Sequence, residues 1–225
     1  MNVSMMRNQV TAYTQMMIDT QIMFGIPLGT CTVTQSICDQ IKLLPSMSQY
    51  GVNTSYQDNP DMYNVLKDHS ELRRELTSVF STWINSIQGN NTTWVMTTNW
   101  ITENSTGKNM GMHNHTNAMY SAVLYFGQYD DNHPQLVLYN PYHMGAQQSM
   151  HVASPAVNPF NNASYLAPIG EGIMIMFPSF LYHEHESFES TSNRQSFACN
   201  FFPTGVIGQG DSTLDTNWLQ YDDKQ

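Results

Sequence analysis

Basic residues are scarce in this chain: 8 Lys and Arg stand against 18 Asp and Glu in 225 residues, a formal net charge of −10. The few cations are scattered, whereas a protein that neutralises a phosphate backbone gathers them on one face. Nucleic acid is therefore not an expected partner. Cysteine is sparse too. Cys31, Cys38 and Cys199 are odd in number and form no C-x-x-C pair, which argues against a disulfide framework and fits reduced thiols used for packing. No apolar run approaches the roughly 18 residues of a membrane span, and no basic stretch followed by an apolar one reads as an export signal. The expectation is a soluble, cytoplasmic protein without a membrane partner. The Asn-x-Ser/Thr triplets at Asn53, Asn91, Asn104 and Asn162 then follow from a composition rich in those residues rather than from glycosylation.

What is present suggests one β-rich domain, since sandwiches and barrels run to about 200–250 residues as single units. The expected domain covers residues 1–225, with helical support at 30–90 and a β core at 92–203. Ile22 to Leu28 reads as a strand stopped by Pro27. Ile37, Cys38, Ile41 and Leu44 then share a helical face that ends at Pro45. Residues 46–64 read as a long surface loop. A second helix is predicted with Ser70 as its N-cap, an apolar stripe through Leu72, Leu76, Val79, Phe80, Trp83, Ile84 and Ile87, and Arg73, Arg74 and Glu75 facing away. From Thr92 onward short aromatic and branched runs alternate with turn residues. Strands are predicted at 93–102, 119–127, 135–139, 148–153, 172–177, 181–187 and 195–202, the pattern of a double-sheet jelly roll or similar barrel. Residues 221–225 read as a frayed tail, and the 16 methionines as adaptable core filling.

Chemistry concentrates in a few positions. His113 and His115 are two apart and enter the apolar run Ser121–Phe126, and residues two apart in extended chain point the same way. His183 returns from a distant strand, so the three can build one face of a metal's coordination sphere, read here as a non-haem iron site. A lone His-x-His is more often structural, so the weight falls on the second segment. There Gly172–Pro178 is an apolar strand, and Arg194 enters another strand eleven positions after His183. A buried guanidinium needs an anion. A small dicarboxylate would satisfy it, with the Ser196 hydroxyl adding a hydrogen bond from the same face. His69, His133, His143 and His151 are expected at the surface, and of these His143 is the one expected to line a substrate cleft. His185 beside Glu184 and Glu186 reads as solvated or as supporting the site.

These pieces together resemble a known family. His113-x-His115, Ser121-x-x-x-Tyr125, Phe177-Pro178-Ser179-x-x-x-His183 and Arg194-x-Ser196 with Asn200-Phe201 look like the small 2-oxoglutarate/Fe(II)-dependent oxygenases common in bacteriophages and marine bacteria, some of which are similar to prolyl hydroxylases. Phe24–Pro27, Asn99–Ile101, Leu138–Pro141 and Asn200–Gly208 extend the resemblance across most of residues 20–208.

The resemblance implies a double-stranded β-helix (a cupin-like jelly roll with flanking helices) holding Fe(II) at one open end, with 2-oxoglutarate as co-substrate. His113, His115 and His183 take the ligand positions, leaving adjacent sites for the 2-oxo acid and dioxygen. Arg194, Ser196 and Tyr125 take the cofactor's far carboxylate, while Asn140, Asn200 and His185 are candidates for supporting hydrogen bonds. The implied reaction hydroxylates an aliphatic carbon of a peptidyl or small-molecule substrate with release of succinate and CO2, and it places a phage-encoded enzyme in its host's cytoplasm. The alternative is a non-catalytic jelly-roll component of a phage-like particle. One departure stands out: the wider superfamily has a carboxylate at the second ligand position. This chain has His115 there, or Asn117 if His115 is the first, and an all-imidazole face leans harder on an anionic co-substrate.

Overall fold

Six consecutive residues of one strand, Tyr120–Tyr125, are all buried. Because alternate side chains of a strand point to opposite faces, such a strand must be covered on both sides. The computed structural model describes residues 25–50, 59–144 and 162–219, and its elements supply both covers. In chain order they are β1 (Gly29–Thr32), α1 (Gln35–Ile41), α2 (Ser70–Gln88), β2 (Thr93–Asn104), β3 (Met110–His113), β4 (Tyr120–Tyr125), β5 (Leu136–Tyr139), α3 (Pro141–Met144), β6 (Ser164–Ala167), β7 (Ile173–Pro178), β8 (His183–His185), β9 (Arg194–Thr204), β10 (Val206–Ile207) and β11 (Leu214–Asp215). Antiparallel pairing builds a five-stranded sheet in the order β1-β7-β4-β9-β2 and a four-stranded sheet in the order β3-β8-β5-β6, while β10 and β11 pair with each other.

Two apolar clusters sort the residues by parity. Tyr120, Ala122 and Leu124 of β4 join Met174 and Met176 of β7 and Phe197, Cys199 and Phe201 of β9 against Ile37, Ile41, Leu72, Leu76, Phe80 and Ile84 of α1 and α2. The opposite parity, Val123, Tyr125, Ile175, Phe177 and Ala198, meets Leu136, Leu138 and Ala167 of the small sheet. The helices thus back the large sheet, and the second sheet closes over its other face to make the expected jelly roll. Phe80 is the anchor of the helical layer. It is fully buried, stacks on Phe201 at 3.9 Å between ring centroids and 5° between planes, and meets Trp94 edge-on at 5.3 Å.

Several expectations need correcting. The strand predicted at Ile22–Leu28 is not there. Residues 22–24 lie outside the described residues, 25–28 have no strand, and β1 starts only after Pro27, whose missing N–H cannot join a ladder. Gly29 opens β1 because α2 presses on it: a Cβ there would sit 2.6 Å from Trp83 Cε2. Ser70 is the first helical residue rather than the cap, which is His69 with no side-chain cap bond. Arg73 turns inward, 9% exposed, and donates through Nη2 to Asn64 Oδ1, so it ties the 59–66 segment to α2. Ile87 is 51% exposed, because the last turn of α2 runs past the sheet before Gly89, at φ 66°, closes it. The sequence reading missed β3, β6 and the β10–β11 ladder, all of them short, and residues 47–50 and 60–63 of the expected loop form 3-10 turns. The strand expected at 148–153 and the tail at 221–225 lie outside the described residues. Cys38 and Cys199 are buried packing residues, and all three thiols are free. Among the described residues no helix is long and apolar enough to cross a membrane.

Truncating Phe80 to Ala removes the ring that joins helix to sheet and should cost about 3–5 kcal/mol of unfolding free energy by denaturant titration. A loss below about 1 kcal/mol would show that this contact does not anchor the layers.

Candidate metal centre

Among the described residues, two β-bulges lie in strands that flank this site. β3 pairs with β8 so that Met110 opposes His185 and His113 opposes His183. A regular antiparallel register would carry Met110 opposite His185 to Met112 opposite His183. The extra residue in β3 substitutes His113 and leaves Met112 49% exposed. His115 lies beyond the end of β3. It reaches the same side not through strand alternation, as expected, but because its N–H donates to Ser179 O at 3.0 Å, next to the turn that leads into β8.

The three rings converge. Ring centroids are 4.3 Å apart for His113 and His183, 5.0 Å for His115 and His183, and 5.3 Å for His113 and His115. One ligand nitrogen from each lies within 4.8 Å of the others, and no carboxylate or thiol of the described residues joins the group. Asn117, the alternative ligand, occupies left-handed backbone at φ 57° two residues past His115. The Nδ1 of His113 lies 2.8 Å from Gly111 O, and that of His183 3.0 Å from Leu181 O. A carbonyl can only accept, so both Nδ1 atoms carry the proton and both Nε2 lone pairs are left for a cation. Burial lowers the His183 pKa to about 3 and the His115 pKa to about 4, with the neighbouring imidazoles contributing less. Both rings are therefore neutral at pH 7, as metal ligation requires. Trp100, 5.4 Å from His115, and Phe177, 5.0 Å from His183, wall the group on the large-sheet side.

Arg194 lies on the interior face of β9, in register with Asn104 of β2. It is 2% exposed, its Nη2 donates to the Tyr125 hydroxyl at 3.2 Å, and its Nε is buried without a partner. No carboxylate of the described residues pairs with it. A guanidinium cannot shed its proton, so this burial leaves an uncompensated cation that a bound carboxylate would neutralise. Tyr125 opposes Ser196 in the ladder, and burial raises its pKa against the lowering effect of Arg194. Its oxygen accepts from Arg194, which leaves its own proton to donate. The donor set thus fits both groups: three convergent imidazoles for a divalent metal, and a guanidinium with a phenol for an anion.

Other residues are placed differently from expectation. His185 is buried, not solvated: Nδ1–H donates to Glu186 O at 2.9 Å, and Nε2 accepts from Asn104 Nδ2 at 2.8 Å. Burial and the charge of Arg194 lower its pKa to about 4. It sits one alternation beyond His183 on β8, about 7 Å along the strand, between the imidazole group and the guanidinium. His133 is also buried rather than at the surface, held by Asp130 Oδ1 at 2.9 Å and Ser192 O at 3.2 Å. His69 is exposed as expected, while His151 and the side chain of His143 lie outside the described residues. Asn140 binds Asn162 O and Tyr142 N at the start of α3, away from the imidazoles. Asn104 was not anticipated, and Ser121 and Ser179 carried the resemblance without being given a role. The available signal was a lone Ser inside a strand that is otherwise wholly apolar.

With this geometry in hand, the comparisons fall into place. Residues 98–200 match the family described as "Putative 2OG-Fe(II) oxygenase". That segment, less than half of the chain, contains His113, His115, Tyr125, His183, Arg194 and Ser196, and over it the chain is similar to that family. Among solved structures the chain is similar to HygX from Streptomyces hygroscopicus with iron bound, at TM-score 0.50 and 9% identity, covering 88% of this chain and 87% of that one. It is similar to the non-haem monooxygenase ThoJ in a nickel complex, at TM-score 0.50 and 13% identity over 82% and 79% of the two chains. A Pseudomonas putida prolyl-4-hydroxylase aligns at TM-score 0.46 and 13% identity, over 80% and 89%. At these identities the likeness to HygX and ThoJ establishes the shared fold and nothing beyond it. No curated protein matches.

The lowered pKa values of His115, His183 and His185, the last two buried, set a pH dependence for the metal-free protein. Folded pKa values of about 3 to 4 lie below the ordinary 6.5, so the unfolded chain binds more protons between these limits. Stability is then complete above about pH 6.5 and is lost as pH falls toward 4. The urea midpoint should drop over that range, and it should drop less in His183→Asn. Equal pH slopes in the two proteins would contradict the assignment.

Proposed function

We propose that the protein is an Fe(II)- and 2-oxoglutarate-dependent dioxygenase that hydroxylates an aliphatic carbon of a peptidyl or small-molecule substrate, releasing succinate and CO2. The observation that carries this reading is the orphaned Arg194 guanidinium sealed into the same interior as three convergent imidazoles. In this reading His113, His115 and His183 hold the metal through Nε2, and Arg194, Tyr125 and Ser196 hold the distal carboxylate of the co-substrate. The bound metal supplies dioxygen activation coupled to oxidation of the 2-oxo acid.

The chain's own residues supply the rest. Arg194 gives a fixed positive charge that needs no reorganisation when the carboxylate arrives. Tyr125 accepts from Arg194 and donates its proton to that carboxylate, which fixes the direction of the pair. His185 stays neutral between the two sites, so it adds no charge that would compete with Arg194 for the anion. Trp100 and Phe177 wall the imidazole group on the large-sheet side. Because the ligands are all neutral, the charge balance of the loaded centre rests on the anion held at Arg194.

We also propose that residues 1–225 act as one domain, with the helices at 30–90 supporting the core at 92–203, in a reducing cytoplasm to which the free thiols are suited. The non-catalytic particle component has no observation in its favour, since a scaffold gains nothing from a buried, unpaired guanidinium.

Anaerobic addition of Fe(II) and 2-oxoglutarate should produce a weak visible charge-transfer band, and aerobic incubation should release succinate. His183→Ala should abolish the band. Arg194→Ala removes a buried charge-assisted contact of about 2 kcal/mol or more, and should raise the 2-oxoglutarate Kd about 30-fold or more. A band with no succinate under any condition would favour binding without turnover.

A further inference from the structure

Beneath the imidazole group lies a chain of buried polar side chains that neither the metal nor the anion uses directly. Ser179 is 0% exposed, Ser121 1% and Asn200 8%. Asn200 Nδ2 donates to Thr98 Oγ1 at 3.0 Å, which turns the amide oxygen toward Ser121, and Ser121 Oγ donates to that oxygen at 2.7 Å. A hydroxyl has one proton. The 2.8 Å contact between Ser121 and Ser179 is therefore made with the proton of Ser179. Direction is thus fixed along the whole chain: Ser179 to Ser121 to Asn200 to Thr98.

The far end depends on the second bulge. β2 pairs with β9 through Met96 and Phe201, then through Thr98 and Asn200, so Thr97 is an extra residue. Before it, Trp94 and Met96 face the helices; after it, Ile101 does. The change of parity turns Thr98 to the interior, and Thr97 Oγ1 donates to Asn200 O at 3.3 Å to hold the bulge. The near end is where ligands are placed. The carbonyl of Ser179 accepts the His115 N–H at 3.0 Å, and its N–H donates to Met119 O at 3.1 Å, so both ends of the 115–119 loop are fastened to one residue. Ser179 also opens the turn to β8, where Leu181 N–H donates to Pro178 O at 3.1 Å two residues before His183.

Resting on the metal-centre reading above, we propose that Ser179, Ser121, Asn200 and Thr98 are positioning residues: one directional relay that sets the His115 and His183 segments in register for the ion. Ser121 and Ser179 are buried, and their hydroxyl protons are spent within the relay rather than on solvent. Outer hydrogen bonds that orient metal ligands typically change metal affinity by about 10–100-fold when removed.

The test uses Co(II) as probe on the full chain, reading its visible d–d bands and Kd together with the thermal midpoint of the metal-free protein. Ser121→Ala and Ser179→Ala should each raise the Co(II) Kd at least about tenfold. The double variant should be little worse than the weaker-binding single, because both break one relay. Ser179→Thr, which keeps the hydroxyl, should retain affinity. Thr98→Val, which touches neither ligand segment, should weaken Co(II) binding in the same direction, and it decides the matter where the double variant does not fold. Single-variant changes smaller than this, losses that multiply in the double, or an unaltered Kd in Thr98→Val would overturn the relay, even with lowered thermal midpoints. Failure of the wild type to take up Co(II) would overturn the metal-centre reading itself, and the relay with it.

Discussion

A cation sealed from water with no anion beside it is the constraint around which this interior is arranged. Arg194 cannot be neutral, cannot reach solvent and has no carboxylate partner among the described residues. Burial holds Tyr125 in its protonated form, and His185, His115 and His183 all have pKa values displaced toward the neutral form. An interior prepared in this way holds one fixed positive charge and a set of convergent imidazole donors, and it is completed by a divalent metal and an anion together rather than by either alone.

The fold meets that constraint by parity and by two deliberate breaks in parity. Helices cover one face of the large sheet, so the other face is free to carry Ser121, Tyr125, Arg194, Ser196 and Asn200 at alternate positions toward the small sheet. The bulge in β3 brings His113 opposite His183, and the bulge in β2 brings Thr98 opposite Asn200. Each extra residue shifts a side chain from one face to the other, which no substitution could achieve.

Much of this was legible in the residues. Apolar periodicity located α1 and α2, and alternation with turn residues located β2, β4, β5, β7, β8 and β9 to within a few positions. The convergence of His113, His115 and His183 was legible in their spacing, and the burial of Arg194 in its place at the start of an apolar strand. The bulges were not readable, since they are properties of a pair of strands rather than of one. The burial of Arg73, His133 and His185 was hidden for a similar reason: each is satisfied by a partner distant in sequence or by backbone, and local composition suggests solvent. The start of β1 was missed because the apolar run ahead of Pro27 outweighed the Gly-Thr-Cys-Thr segment, whose pairing with β7 is a tertiary fact.

The account stands on one ion and one dicarboxylate sharing the hollow that three imidazoles and Arg194 enclose. Crystals grown anaerobically with Fe(II) and 2-oxoglutarate, with anomalous diffraction recorded at the iron edge, test it most directly. The account predicts a single anomalous peak in contact with Nε2 of His113, His115 and His183, and carboxylate density against the Arg194 guanidinium and the Tyr125 hydroxyl. A peak bound elsewhere, or an occupied metal with Arg194 still facing no anion, would contradict it.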